Sequence, residues 1–300
     1  MSGAVPAPLG AVAHYNLLER LEPAGPGELF RARDTRLGRT VTVRVLPEGY
    51  ADAPERRRLL ENARAVAGIS HPNVTTLFDA GEHEGRVFLV FEHLKGQSLR
   101  AEMAGRPMNV RRAVEIAIQI ADGVAEAHAA GFIHGGLSPD TIGITAKGHA
   151  KIPAFELASH GGFEHTEAGV RLRDYVSPEE ARGQAVDDRS DIYSVGAVLY
   201  EMLTTRRPLH KGSAAPSAAN PHVPKELDEI VLRAVAPNPD LRYQSVAALA
   251  AELRSAAAIF DVRGISDEEP EPVQRGRPGR AVGLAGLILV ALAIAWYFIR

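Results

Sequence analysis

A chain of 300 residues is long enough for one two-lobed domain or two small ones. Its 45% hydrophobic and 24% charged residues are ordinary for a globular protein, and its formal net charge of -3 excludes the basic surface of a nucleic-acid-binding protein. The chain has no cysteine, which excludes disulfides and thiolate metal sites and fits a reducing compartment without proving one. The histidines lack metal-ligand spacing, so no metal site is predicted.

The first third of the chain alternates strand and turn signals. Residues 1–13 are rich in Ala, Pro and Gly and are predicted to be disordered. Residues 22–27, EPAGPG, fit an ordinary tight hairpin loop. Residues 41–46 alternate apolar and polar side chains, which predicts a half-buried strand.

Two helices and a buried strand come next. Residues 53–69 have helical spacing of apolar side chains, and the apolar run 87–94 predicts a buried strand. Residues 110–129 predict a helix with Asn109 as N-cap and Gly131 beyond its end. Its apolar side makes it core scaffolding.

The stretch 131–144, GFIHGGLSPDTIGI, resembles the catalytic loop of the bacterial serine/threonine protein kinases, whose pattern is H-R-D-L-K-P-x-N-I-L. Flanking segments match that family in order and spacing over residues 14–257. By resemblance, Gly136 stands at the position of the catalytic aspartate, Ser138 at that of the lysine that steadies the γ-phosphate, and Thr141 at that of a metal-binding asparagine.

The resemblance also locates an altered nucleotide pocket. The family's Gly-rich loop keeps only its third glycine, Gly27, and two prolines replace backbone N–H donors. Arg44 and Asn62 replace the lysine and glutamate of the family's ion pair. Ala154 replaces the magnesium-binding aspartate, and Glu156 remains nearby as a carboxylate. Thr42 replaces the alanine above adenine, and Gly143 replaces the large apolar residue below it.

Architectural positions of the family are retained. The resemblance implies structural roles for His134, Phe155, Glu179, Asp191 and Arg242, and it implies a buried ion pair between Glu179 and Arg242. Residues 209–220 are shorter than the equivalent region of the family and predict a flexible loop.

The C-terminal part predicts a membrane anchor. Residues 281–299 are uncharged and apolar and would span about 28 Å as a helix, close to the thickness of the hydrocarbon core. Three arginines precede the span and one follows it, which places the preceding domain in the cytoplasm. Small residues spaced by four, Ala281 with Ala285 and Ala291 with Ala295, make dimerisation possible.

The fold class expected is α+β, a two-lobed kinase-like fold with a small, mainly β lobe and a large, mainly α lobe, plus the transmembrane helix. The expected boundaries are a disordered lead at 1–13, a small lobe at 14–95, a large lobe at 96–259, a juxtamembrane linker at 260–280 and the transmembrane helix at 281–299.

The function expected from the altered residues is that of a pseudokinase. This is a membrane-anchored protein-binding scaffold or regulator in kinase signalling that transfers no phosphate efficiently, is not an enzyme and uses no ATP, magnesium or other cofactor. Its partner would be an active kinase or a phosphopeptide-binding protein, with Thr166 as a possible phosphosite.

Two alternatives stay open. One is an atypical active serine/threonine kinase that uses ATP, with Glu156 capturing magnesium and Asp140 acting as base. The other is a sensor that binds a nucleotide or another ligand in the remnant cleft, through Gly27, Arg44 or Glu156.

Overall fold

The small lobe is a six-stranded antiparallel sheet with one helix against it. The computed structural model describes residues 9–21, 27–50, 52–153 and 172–263. The strands are β1 (Gly10–Val12), β2 (Tyr15–Leu21), β3 (Glu28–Asp34), β4 (Thr40–Val45), β5 (Leu77–His83) and β6 (Arg86–Glu92), in the spatial order β1-β2-β3-β4-β6-β5. The helix α1 spans Ala53–Val66.

The alternation in β4 sets the two faces of this sheet. Val41, Val43 and Val45 are buried together in one apolar cluster, as the period of two predicts. On the other side, Leu59 and Ala63 of α1 pack in a second apolar cluster. A capping box starts α1, because the Asp52 carboxylate accepts from the Glu55 N–H and the Glu55 carboxylate from the Asp52 N–H.

The large lobe is built on helices. They are α2 (Leu99–Met103), α3 (Val110–Ala129), α4 (Pro178–Ala181), α5 (Asp188–Thr204), α6 (Pro216–Ala219), α7 (Glu226–Ala234) and α8 (Val246–Arg263), with a 3₁₀ turn at Pro239–Leu241. A small sheet of β7 (Gly96–Ser98), β8 (Gly143–Thr145) and β9 (Ala150–Lys151) lies beside them. Helices α3, α5 and α8 supply much of one large apolar core.

The predicted two-lobed α+β fold is confirmed, and so is α3, whose N-cap Asn109 accepts from the Arg112 N–H. Other expectations need correction. The short helix α6 lies in the region predicted to be a flexible loop, and β1 lies within the predicted disordered lead. Both are held by backbone hydrogen bonds, Asn220 N to Pro216 O and Leu9 N to Leu17 O.

The membrane prediction falls on residues outside the described ranges. Within those ranges, no helix has the length and apolar character needed to cross a bilayer. Residues 281–299 and the linker beyond residue 263 lie outside them, so this expectation stays a prediction.

Candidate active site

A buried carboxylate near the start of α5 binds the backbone of the loop that follows α3. Asp191, fully buried, accepts from the backbone N–H of His134 at 2.7 Å and from that of Gly135 at 2.9 Å. The ring of His128 lies 2.7 Å from the same carboxylate. Gly135 adopts a φ of +65°, which suits glycine, so the turn and its anchor are both specified locally. The predicted structural role of Asp191 is therefore a backbone clamp.

His134 joins this loop to the segment that follows β9. Burial lowers the pKa of His134, although the Asp191 charge opposes this, so the ring is neutral at pH 7. Its Nε2–H then donates to the Pro153 carbonyl at 2.9 Å, and Nδ1 accepts from the Gly136 N–H at 3.3 Å. One tautomer satisfies both bonds, which fixes the ring between the two segments.

The two hydroxyl residues of the loop bond to each other and to its backbone. Thr141 Oγ1 donates to the Gly136 carbonyl at 2.9 Å and accepts from the Ser138 N–H at 3.0 Å, while Ser138 Oγ lies 3.3 Å from it. Ser138 is 2% exposed. These side chains hold the shape of the loop, including the carbonyl of Gly136, where the family has its aspartate.

The glycine that remains of the phosphate-binding loop is required by the backbone. Gly27 has a φ of +83°, and a Cβ there would lie 2.2 Å from the Val45 carbonyl oxygen. Arg44 lies on β4, opposite Leu29 and Leu89, and Asn62 lies on α1. The predicted positions of the altered ion pair are thus on the two elements that the resemblance implies.

A leucine at the lobe junction packs close to Gly143. The Leu94 Cδ1 atom lies 2.8 Å from where a Cβ of residue 143 would be, so Leu94 fills space that a larger residue there would take. On the opposite side, the Thr42 hydroxyl is 3.0 Å from His93 Nδ1. Leu94, 49 positions away in the sequence, thus lies against the position where the family has its large apolar residue.

The described residues of the cleft do not fit magnesium. No group of three or more His, Asp or Glu side chains within the described ranges could hold a metal ion. Ser138 and Thr141 are neutral and bonded within the loop, and hard divalent cations favour carboxylates. Ala154, Phe155 and Glu156 lie outside the described ranges, so their predicted roles stay predictions.

Sequence reasoning named Asp140 but missed its partner. Asp140 Oδ2 accepts from Nε and Nη2 of Arg100, at 3.3 and 3.2 Å. Arg100 lies 40 positions earlier, on α2, and nothing in its local sequence signals the contact.

The predicted ion pair of the large lobe is formed. Arg242 donates to both carboxylate oxygens of Glu179, at 2.6 and 2.7 Å, and also to the carbonyls of Ala236 and Arg189. Burial would raise the pKa of Glu179, but the hydrogen bond from Arg242 outweighs it and lowers the pKa to about 2. The pair joins α4, which contains Glu179, to the loop before α8, which contains Arg242.

Comparison with known proteins identifies the family to which this fold belongs. Residues 18–250 match the model of the protein kinase domain. The chain belongs to the protein kinase family. It is 31% identical over 272 residues to the serine/threonine-protein kinase PrkC of Bacillus subtilis, covering 85% of this chain. It is 35% identical over 263 residues to the serine/threonine-protein kinase PknB of Mycobacterium tuberculosis, covering 80% of this chain.

The matched relatives are longer proteins. The chain spans 42% of the length of PrkC and of PknB. Among solved structures, the kinase domain of Mycobacterium tuberculosis PknI superposes with a TM-score of 0.69 at 22% identity, over 86% of this chain and all of that one. This likeness shows the shared fold.

The relatives contradict the prediction of a pseudokinase. They are named serine/threonine-protein kinases, so the expectations of no phosphate transfer, no enzyme and no use of ATP or magnesium are corrected in favour of the alternative of an active kinase. The prediction counted every altered side chain as a lost function.

Proposed function

We propose that this chain is an ATP-dependent serine/threonine protein kinase with an atypical catalytic loop, acting on protein substrates. The observation that carries the proposal is the clamp of Asp191 on the backbone of His134 and Gly135, which together with the hydroxyls of Ser138 and Thr141 keeps the loop ordered although the family's side chains are replaced. Phosphoryl transfer depends mainly on positioning and charge stabilisation, so an ordered loop is the main requirement. The named relatives support the same activity.

In this reaction a substrate hydroxyl oxygen bonds to the γ-phosphorus of ATP, the bond from that phosphorus to the β–γ bridging oxygen breaks, and ADP leaves. The hydroxyl proton needs an acceptor. Asp140 is the acid of the loop 134–142 and is a quarter exposed, which makes it the candidate base. Glu156 is the acid proposed from the sequence to hold magnesium.

The test is phosphate transfer by the full chain in detergent from radiolabelled ATP to a generic protein substrate, with magnesium and with manganese. Arg44→Met, which removes the charge of the predicted nucleotide-binding strand, sets the background from contaminating kinases. We expect wild-type incorporation well above that background, a loss of about 10² to 10⁴ in Asp140→Asn, and no change in Glu126→Gln, an exposed acid of α3. Incorporation no higher than that of Arg44→Met under both metals would overturn the proposal.

We also propose that residues 281–299 anchor the chain in the membrane, with both lobes in the cytoplasm. The linker to the span begins after residue 263 and not at the predicted residue 260, because α8 continues to Arg263 and Phe260 is part of the core. The uncharged length of the span and the arginines before it support this orientation. Extraction of membranes at alkaline pH should leave the full chain in the pellet, and a chain ending at residue 265 should appear in the supernatant. Recovery of the full chain in the supernatant would contradict the anchor.

Thr166 is the proposed phosphosite and would create a docking point for a phosphopeptide-binding protein or another kinase. It lies outside the described ranges, and dimerisation through the small residues of the span is likewise a proposal. Phosphopeptide mapping of the full chain after incubation with ATP tests the first. Label confined to other residues would remove Thr166 as the site.

A further inference from the structure

One arginine joins three segments around the proposed catalytic loop. Arg100 Nη1 donates to Glu201 Oε1 at 2.6 Å, and Nη2 donates to the Tyr175 hydroxyl at 2.5 Å. Its Nε and Nη2 also donate to Asp140 Oδ2. Asp140 belongs to the catalytic loop, Tyr175 lies two residues before the start of the Ser177-Pro178-Glu179 motif, and Glu201 lies on α5.

The contact is partly buried. Tyr175 is fully buried, and the side chains of Glu201, Asp140 and Arg100 are 7%, 25% and 31% exposed. The backbone adds to it, since the Arg100 N–H donates to the Pro139 carbonyl at 2.8 Å. Helix α2 is therefore attached to the catalytic loop through both main chain and side chain.

The groups around Arg100 are suited to a guanidinium. Two carboxylates and a phenol surround Arg100, and burial with the Glu201 hydrogen bond raises the pKa of Tyr175 to about 12. The protonated Tyr175 hydroxyl thus donates to Glu201 Oε2 while it accepts from Arg100. The planar guanidinium of Arg100 can donate hydrogen bonds to three partners at once, whereas a lysine ammonium is a compact point charge.

We propose that Arg100 is a positioning residue for phosphorylation, which couples the segment containing Tyr175 to Asp140 of the catalytic loop by donating to both side chains directly, with Glu201 as a third partner. The kinetic consequence rests on the proposed kinase activity, while the coupling itself does not. Without the guanidinium, Asp140 and Glu201 lose their shared countercharge. The loop and the Tyr175 segment then move independently.

The first test is hydrogen exchange of the full chain in detergent. In Arg100→Ala we expect the amides of residues 135–142 and 172–176 to exchange at least 10-fold faster than in wild type. Arg112→Ala is the matched control, because Arg112 is a similarly buried arginine, 28% exposed, whose partners are Glu102, Glu115 and Gly148. Equal protection in Arg100→Ala and wild type would overturn the coupling, whether or not the chain transfers phosphate.

The second test separates positioning from general destabilisation. With a peptide substrate we expect Arg100→Ala to lower kcat by about 10- to 100-fold while the KM for ATP changes by less than twofold. Ethylguanidinium at millimolar concentration should restore part of the rate, and ethylammonium should not, since only the former presents the fork. Full activity of Arg100→Ala, or equal rescue by both ions, would refute the role of Arg100. If Arg100→Ala does not fold, Arg100→Gln takes its place in both tests.

Discussion

Replacing Arg242 with methionine should leave the Glu179 carboxylate buried without its countercharge. The Arg242 side chain is fully buried and that of Glu179 is 10% exposed, so water cannot replace the lost bonds. Breaking one side of a buried pair costs about 3–5 kcal/mol. The pKa of Glu179, lowered from 4.5 to about 2, agrees in direction, because the hydrogen bond from Arg242 is the largest cause of that lowering.

For a domain of this size such a loss lowers the melting temperature by roughly 6 to 20 °C. Thermal unfolding of the full chain in detergent at pH 7 measures it. The control is Arg254→Met, which removes an ion pair with Asp122 whose arginine side chain is 51% exposed and which should cost about 1 kcal/mol or less. Equal shifts for the two variants would refute the reasoning.

Protonation provides a second check on the same pair. The folded-state pKa of Glu179 is depressed, so its stabilisation is present above pH 4.5 and is lost as the pH falls toward 2. The difference between Arg242→Met and wild type should therefore shrink at pH 4, where the orphaned carboxyl can bind a proton. If Arg242→Met does not fold, Arg242→Lys, which keeps the charge but not both bonds, should be destabilised less.

Three further outcomes are expected. Gly27→Ala should destabilise the domain more than Gly38→Ala in thermal unfolding, because both glycines have positive φ but only the first would bring Cβ within 2.2 Å of a carbonyl oxygen; similar losses would contradict this. Leu94→Ala should weaken ATP binding about 10-fold, as measured by a ligand-induced thermal shift, and the double variant Leu94→Ala, Gly143→Leu should regain affinity. Unchanged ATP affinity in Leu94→Ala would show that Leu94 is not part of the nucleotide pocket. Burial lowers the pKa of His128, but the hydrogen bond to Asp191 outweighs burial, so the pKa is raised. The contribution of protonated His128 to the free energy of unfolding is therefore complete below pH 6.5 and is lost as the pH rises through the raised pKa. Unfolding measured from pH 6 to 9 should show this loss in wild type and not in His128→Gln, and identical profiles would contradict it.

Local signals predicted the elements of the fold well. Asn109 and the apolar side of α3 specify that helix within its own sequence, and the alternation at 41–46 specifies β4. The Glu179 and Arg242 pair, 63 positions apart, followed only from the resemblance, because no local pattern links two such residues.

The candidate site was predicted less well because its decisive contacts are distant in sequence. Leu94 fills the space beside Gly143, and Arg100 reaches Glu201 across 101 positions. Residue-by-residue comparison with a motif detects an altered side chain but not the neighbour that fills its space. The prediction of lost enzyme activity, which rested on altered side chains, is contradicted by relatives that are named serine/threonine-protein kinases.

The clamp of Asp191 separates the path of the catalytic loop from its chemistry. Because this carboxylate binds main-chain N–H groups, it anchors the start of the loop whatever side chain stands at position 136, whereas Ser138 and Thr141 hold the later part through their own hydroxyls. Gly136→Asp therefore restores an acid without removing a loop bond, while Ser138→Lys and Thr141→Asn each remove one. The rate of Gly136→Asp alone would measure what an acid at that position adds to phosphoryl transfer while the other loop bonds are kept.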